Sequence, residues 1–308
     1  VSQADNAVAA LDIGSNTIRL LVASPEGCEL RPLLDLSAFV RLGSGVDRTG
    51  VLDPVRQERA LKAVLELTEE ARKLGVSGIR AVATSAVRDA RNGPEFVQRL
   101  RREAGVEVEI VSGEEEARLT FLGATLGVPL DDGLLVFDIG GGSGEIIAAH
   151  DGEMAWAKEL PLGSGRLTER FVEHDPPETA ELQAVGDYVR VLLEKLPAAH
   201  PKKLVGTGGT AKHIPLLLGL EGWPIEITAI QLGEASEILT TSRHVDVAER
   251  FGIEPERAPV LPAGVQTIRT ICEIYGIGKL MITLNGIRQG MIVDQLMSEG
   301  RWPVRTAG

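Results

Sequence analysis

Leu11-Asp12-Ile13-Gly14-Ser15-Asn16-Thr17 and Phe137-Asp138-Ile139-Gly140-Gly141-Gly142-Ser143 share one pattern, 126 residues apart. In each, an apolar run ends in Asp-Ile-Gly, passes through small residues suited to a tight turn, and resumes as a second β-rich run. Val8–Asp12 and Thr17–Ala23 read as the arms of a first hairpin, Leu134–Asp138 and Glu145–Ala149 as the arms of a second. The offset is about one domain length. Two similar lobes, each presenting one hairpin to a cleft, is the economical reading.

Outward from the hairpins, strand-like and helix-like runs alternate. Asp53-Pro54 starts a helix, with Asp as N-cap and Pro in the first turn, and Gly75 ends it. Leu61, Val64, Leu65 and Leu74 give it an apolar face at helical spacing. Ile79–Thr84 and Val106–Val111 read as strands, and Pro94–Ala104 and Gly113–Leu126 as helices. The second half adds helices over Thr179–Leu196 and Pro259–Tyr275, strands over Lys203–Gly206 and Lys279–Leu284, and a closing helix from Ile287. This mixture indicates α/β architecture in two lobes, 1–125 and 126–308, with Leu126–Gly133 as the candidate hinge. The closing helix, about residues 287–299, is free to pack back on the first lobe.

Charge and composition narrow the function. Among 308 residues, 32 Lys+Arg face 44 Asp+Glu, a formal net charge of −12. A general nucleic-acid binder needs a basic face to displace counterions, so that class is set aside. No apolar run reaches the ~18 residues that span a bilayer. The N-terminal stretch Val1–Ala7 lacks the order of a secretory signal. Cys28 and Cys272 are too few for a disulfide framework and read as packed or surface thiols. A cytoplasmic protein without membrane or nucleic-acid partners is the expectation.

The turns can do chemistry. Gly14, Ser15, Asn16 and Thr17 offer backbone N–H groups and small hydroxyls that can hold a phosphate without any lysine, and so do Gly140, Gly141, Gly142 and Ser143. Asp12 and Asp138, just before the turns, suit Mg²⁺, which keeps several waters beside one or two carboxylates. One Asp-Ile-Gly alone is only a turn signal; two in the same context point to metal–phosphate chemistry. Gly208 and Gly209, in a turn between a strand and a helix, are a weaker phosphate cradle. Glu114, Glu115 and Glu116 open a helix, where acidic residues favour the dipole. One of them can face a cleft and activate water, and the spacing does not choose among them. Arg88, beside Thr84 and Ser85, can neutralise phosphate oxygens. The five histidines are scattered, with none at metal-ligand spacing.

In this order, the segments resemble the exopolyphosphatase / guanosine pentaphosphate phosphatase (Ppx/GppA) family of the actin–Hsp70–sugar kinase superfamily. The resemblance rests on Asp12–Thr17 with Arg19-Leu20, Thr84-Ser85-Ala86 with Arg88 and Asn92, and Glu115-Glu116-Ala117-Arg118-Leu119. Asp138–Ser143 with Glu145, Gly163-Ser164 with Arg166-Leu167-Thr168-Glu169, and Gly286-Ile287-Arg288-Gln289-Gly290 complete it. It implies two ribonuclease-H-like (actin-like ATPase) lobes with an interdomain active-site cleft, in the short form without further C-terminal helical domains. It also implies Glu116 as catalytic base, Asp138 and Glu145 near a divalent metal, and Asn16, Arg88 and Ser143 on phosphate. Gly144 departs from the pattern, which has Thr between Ser and Glu; the expected result is one hydroxyl fewer and a looser second loop.

The implied reaction is Mg²⁺-dependent hydrolysis of the terminal phosphoanhydride of inorganic polyphosphate. Guanosine pentaphosphate is the nearest alternative substrate, and a weakly catalytic sensor of guanosine tetra- or pentaphosphate or a sugar-kinase-like transferase are the other classes. A homodimer is a family-level expectation, and a monovalent-cation requirement stays open. The acidic excess does not forbid a phosphate polymer, because screening over roughly 8–10 Å makes local charge decisive. It does imply weak capture of long chains outside the cleft, hence a preference for short ones.

Overall fold

The computed structural model describes residues 6–76, 78–130 and 133–303. The chain divides into two compact units, one of Val1–Pro129 with Asn285–Gly308 and one of Leu130–Leu284. Val1–Asp5 of the N-terminal stretch and Asp131-Asp132 of the expected hinge lie outside the described residues.

The first unit holds a five-stranded sheet made of β1 (Val8–Ile13), β2 (Thr17–Glu26), β3 (Glu29–Phe39), β4 (Ile79–Ala83) and β5 (Val108–Ile110), in the order β3-β2-β1-β4-β5. The first three form an antiparallel meander; β4 and β5 run parallel to β1, reached through helices. The second unit holds β6 (Leu134–Ile139), β7 (Gly144–His150), β8 (Glu153–Leu160), β9 (Lys203–Thr207), β10 (Ile225–Thr228) and β11 (Lys279–Ile282). Its order is β10-β11-β9-β6-β7-β8. Read from the β8 side, β8-β7-β6-β9-β11 repeats the first sheet, with β10 added antiparallel at the edge. The repeat heard in the two Asp-Ile-Gly segments is therefore a repeat of the whole ribonuclease-H-like topology.

Burial of both faces explains why β1 is apolar at every position but Asp12. Ala9, Leu11 and Ile13 face a core with Leu20, Val22 and the helices Pro54–Lys73 and Gly93–Ala104. Val8 and Ala10 face the other way, onto Leu119 and the closing helix residues Ile287, Met291, Ile292 and Leu296. That second face is the reason the last segment belongs with the first unit, where a boundary at 126 with everything after it in one lobe would leave the face uncovered. The closing helix, Ile287–Ser298, lies against Gly113–Ala124 through two glycines. A Cβ at Gly290 would sit 1.8 Å from the Leu119 carbonyl oxygen, and one at Gly123 would sit 1.9 Å from that of Gly286.

The second unit has one core, from Phe137 and Ile146 on the sheet to Val185, Val189, Ile268 and Ile271 on its helices. No helix among the described residues is long and apolar enough to cross a membrane. Cys28 is exposed; Cys272 is buried, which pushes its thiol up to about 11.

Candidate active site

In the first unit, the turn between β1 and β2 is closed by Gly14 N–H donating to the Thr17 carbonyl at 3.2 Å. Its carbonyls are tied back into the protein: Asn16 O accepts from the amides of Val40 and Arg41, and Ser15 O from that of Gly43. The amides of Ser15 and Asn16 donate to no group among the described residues. A loop with its acceptors engaged and its donors open is a nest for an anion.

The second unit builds the same device from different sequence. Gly140 N–H closes the turn on the Ser143 carbonyl at 3.0 Å. Gly140 O accepts from the Ser164 amide and hydroxyl, and Gly141 O from the Arg166 amide, all at the start of the helix Ser164–Phe171. The Gly141 and Gly142 amides have no acceptor among the described residues. Helix and turn meet so closely that a Cβ at Gly163 would lie 2.3 Å from the Gly142 carbonyl carbon.

Two side chains of the first turn are buried with unused hydrogen-bonding atoms. Asp12 and Asn16 are each 7% exposed, and Asp12 Oδ1 and Asn16 Nδ2 have no partner among the described residues. Such atoms cost free energy unless a ligand meets them, an acceptor for a cation and a donor for an anion here. Burial raises the Asp12 carboxyl above its ordinary range, with Arg19 and Arg288 opposing. Ser15 Oγ lies 3.0 Å from Ser85 Oγ, which joins this turn to the Thr84–Arg88 segment.

The structure chooses among the three glutamates. Ser112 caps the helix Gly113–Ala124 by accepting from the Glu115 amide. Glu114 points to solvent, while Glu115 forms a two-bond pair with Arg118 that holds its carboxyl below the usual range. Glu116 alone is buried, and Arg88 Nη1 donates to its Oε2 at 2.9 Å. The same Nη1 also reaches the Val111 carbonyl. Arg88, expected on phosphate, is thus engaged with the candidate base. Asn92, part of the same segment, bonds both backbone groups of Leu52 and has a scaffolding role.

In the second unit, Asp138 on β6 stands opposite Glu145 on β7, which stands opposite Glu159 on β8. Residues directly opposite project to one face, so three carboxylates form a row across three strands. Glu145 is 3% exposed, with Ser143 Oγ donating to its Oε1 at 3.3 Å. Glu145 and Glu159 bring carboxylate oxygens within 4.8 Å of each other. Sequence reading missed Glu159; the signal was the out-of-phase Glu153-Met154-Ala155-Trp156 run, which hides the strand. Gly208 completes this corner: its φ is +92°, and a Cβ there would lie 2.0 Å from Asp138 Oδ1. Gly209 O accepts from the buried His213 Nδ1 at 2.6 Å. The space around Gly144 is occupied: a Cβ would meet Asp138 O at 3.0 Å and Leu162 Cβ at 3.1 Å.

The profile of the Ppx/GppA phosphatase family matches residues 21–299. Over 302 residues the chain is 32% identical to Exopolyphosphatase 1 of Mycobacterium tuberculosis (strain ATCC 25618 / H37Rv), covering 94% of this chain and 88% of that protein. It is similar in structure to the Aquifex aeolicus Ppx/GppA family member, at 28% identity and a TM-score of 0.80, covering 95% and 98% of the two chains. An exopolyphosphatase structure from Cytophaga hutchinsonii shares the fold at a TM-score of 0.85 and 23% identity, covering 96% and 98%.

Proposed function

We infer what this chain does from one premise: it belongs to the Ppx/GppA phosphatase family. It is a phosphatase, and the substrate we propose is inorganic polyphosphate, cleaved at its terminal phosphoanhydride to release orthophosphate. The observation that carries this reading is the doubled turn, with carbonyls tied back and amides left open in both units. Each nest suits a phosphate group that offers no recognition handle except its oxygens.

Glu116 is the proposed base. It takes a proton from water as the water oxygen attacks the terminal phosphorus; the bridging P–O bond breaks, and the shortened chain leaves with that oxygen. Arg88 holds the carboxylate in place by a charge-assisted bond. Asn16 Nδ2 and the turn amides hold the phosphate oxygens, and Ser143 orients Glu145.

The residues fit a divalent cation. Like charges directly opposite on neighbouring strands repel, so the Asp138, Glu145 and Glu159 row is best satisfied with a cation among them. Asp12, with its unpartnered Oδ1, is a further candidate in the first unit. When bound, Mg²⁺ would supply neutralisation of the phosphate oxygens.

The test is phosphate release from long polyphosphate, tripolyphosphate and guanosine pentaphosphate, each with Mg²⁺ and with chelator. Metal-dependent release from polyphosphate supports the reading, with tripolyphosphate the better substrate given the net charge of −12. Glu116→Gln should abolish turnover and retain binding. Release from guanosine pentaphosphate alone would move the substrate to that nucleotide. Tight nucleotide binding with negligible turnover, untouched by Glu116→Gln, would sink the enzymatic reading.

A further inference from the structure

We propose that the second unit carries a binding site for a small hydroxylated molecule bearing one oxyanion group, in a groove among three of its helices. The groove, about 430 Å³, lies among Thr179–Leu193, Ala229–Thr241 and Leu261–Tyr275. None of its lining residues belongs to the turns or carboxylates described above.

Arg269 is the anchor. It is half-buried, and its Nη1 donates to Ser236 Oγ at 3.0 Å. Among the described residues it makes no ion pair, in a chain where acidic groups outnumber basic ones. A guanidinium with one nitrogen fixed by a hydroxyl keeps a further N–H edge, whose fork matches a carboxylate or a phosphate monoester. Fixing the fork in advance lowers the ordering cost of binding.

The surrounding groups are of one kind. Thr179, Gln183, Thr240 and Gln266 line the same groove with hydroxyls and amides, which donate and accept and so suit the hydroxyls of a ligand. Glu237, exposed on the rim, sets an upper limit on ligand charge by repelling polyanions.

Two helix-interior glycines make the room. Glycine weakens a helix relative to alanine, so it needs a reason at such a position. At Gly233 a Cβ would meet nothing within 4 Å, so packing does not require the glycine; it leaves the helix backbone bare on the groove. At Gly186 a Cβ would meet Gln266 Nε2 at 3.0 Å, so the missing side chain seats that amide against the neighbouring helix.

Isothermal titration of the full chain with glycerate and with glycerol 3-phosphate tests the site. Saturable binding of either supports it, and the probe that binds identifies the anionic group. Arg269→Gln should weaken binding by about tenfold or more, as expected for a charge-assisted hydrogen-bonded pair. Gly233→Leu should weaken it comparably from another helix, with a good helix former that preserves the fold. Both variants should keep their melting transition and phosphatase turnover. No saturable binding of either probe, or equal affinity in wild type and both variants, would overturn the proposal.

Discussion

Arg88 Nη1 joins Glu116 Oε2, at 2.9 Å, to the Val111 carbonyl, at 3.0 Å. The acidic end of the helix Gly113–Ala124 is thereby pinned to the strand-to-helix corner where its sheet ends. Removing the guanidinium leaves a buried carboxylate with one partner fewer. Arg88→Met should lower stability by roughly 1.5–3 kcal/mol, the range for hydrogen bonds to charged groups. Turnover should fall much further than stability does. Urea denaturation beside kcat measures both, and unchanged kcat would detach Arg88 from the chemistry.

Gly208 and Gly219 make a matched pair for a second test. Both have positive φ, +92° and +64°, but a Cβ meets Asp138 Oδ1 at Gly208 and open space at Gly219. Gly219→Ala should cost about 1 kcal/mol through backbone strain alone and leave activity intact. Gly208→Ala should displace the Asp138 carboxylate, raising the Mg²⁺ concentration needed for half-maximal rate. Equal behaviour of the two variants would show that Asp138 does not depend on the bare glycine.

The Gly123–Gly290 crossing gives a stability prediction. Gly290→Ala places a methyl 1.8 Å from the Leu119 carbonyl oxygen, which only a backbone shift can relieve. Overpacking of this kind costs typically about 1–3 kcal/mol, and backbone contact puts this case at the upper end. A lower denaturation midpoint with unchanged m would record it.

A pH prediction concerns the corner before the helix Thr179–Leu193. Burial works against ionisation of Glu181, but the amides of Glu173 and Glu178 and the His174 ring outweigh it and bring the carboxyl down to about 2. A lowered carboxylate stabilises the fold above its ordinary value of 4.5 and loses that contribution as pH falls toward 2. His174, raised by the same Glu181 carboxylate, contributes below 6.5 and loses its share as pH rises through its folded value. Glu181→Gln should therefore melt earlier than wild type near pH 6, with the gap closing between pH 4.5 and 2. Thermal melts across that range would show a constant gap if the corner adds nothing.

The hairpins, the Asp53-capped helix and the closing helix were legible because their signals are local: apolar alternation, a cap and a glycine stop. The strand Glu29–Phe39 was not, because Pro32 and its charges suit a sheet edge and blur the alternation. The helix Ala229–Thr241 was missed for a related reason, its groove-facing Gly233 interrupting the pattern. At the site, residue types could be named from sequence, but choice among neighbours could not. Glu116 is set apart from Glu114 and Glu115 by which side of a helix is covered, and Glu159 joins Glu145 only through strand register. The tie between Gly140 and Ser164 spans 24 residues of chain and leaves no local mark.

The return of Asn285–Gly308 to the first unit bears on how the molecule comes into being. Synthesis runs from the N-terminus, and domains generally fold as they emerge. Here the unit that emerges first lacks the cover for Val8, Ala10 and Leu21 until the helix with Ile287, Met291, Ile292 and Leu296 arrives. The second unit, continuous in sequence, can finish before the first. The lobe begun first is completed only after the other, and Glu116, on the helix that the segment from Ile287 braces, takes its final setting once that segment has emerged.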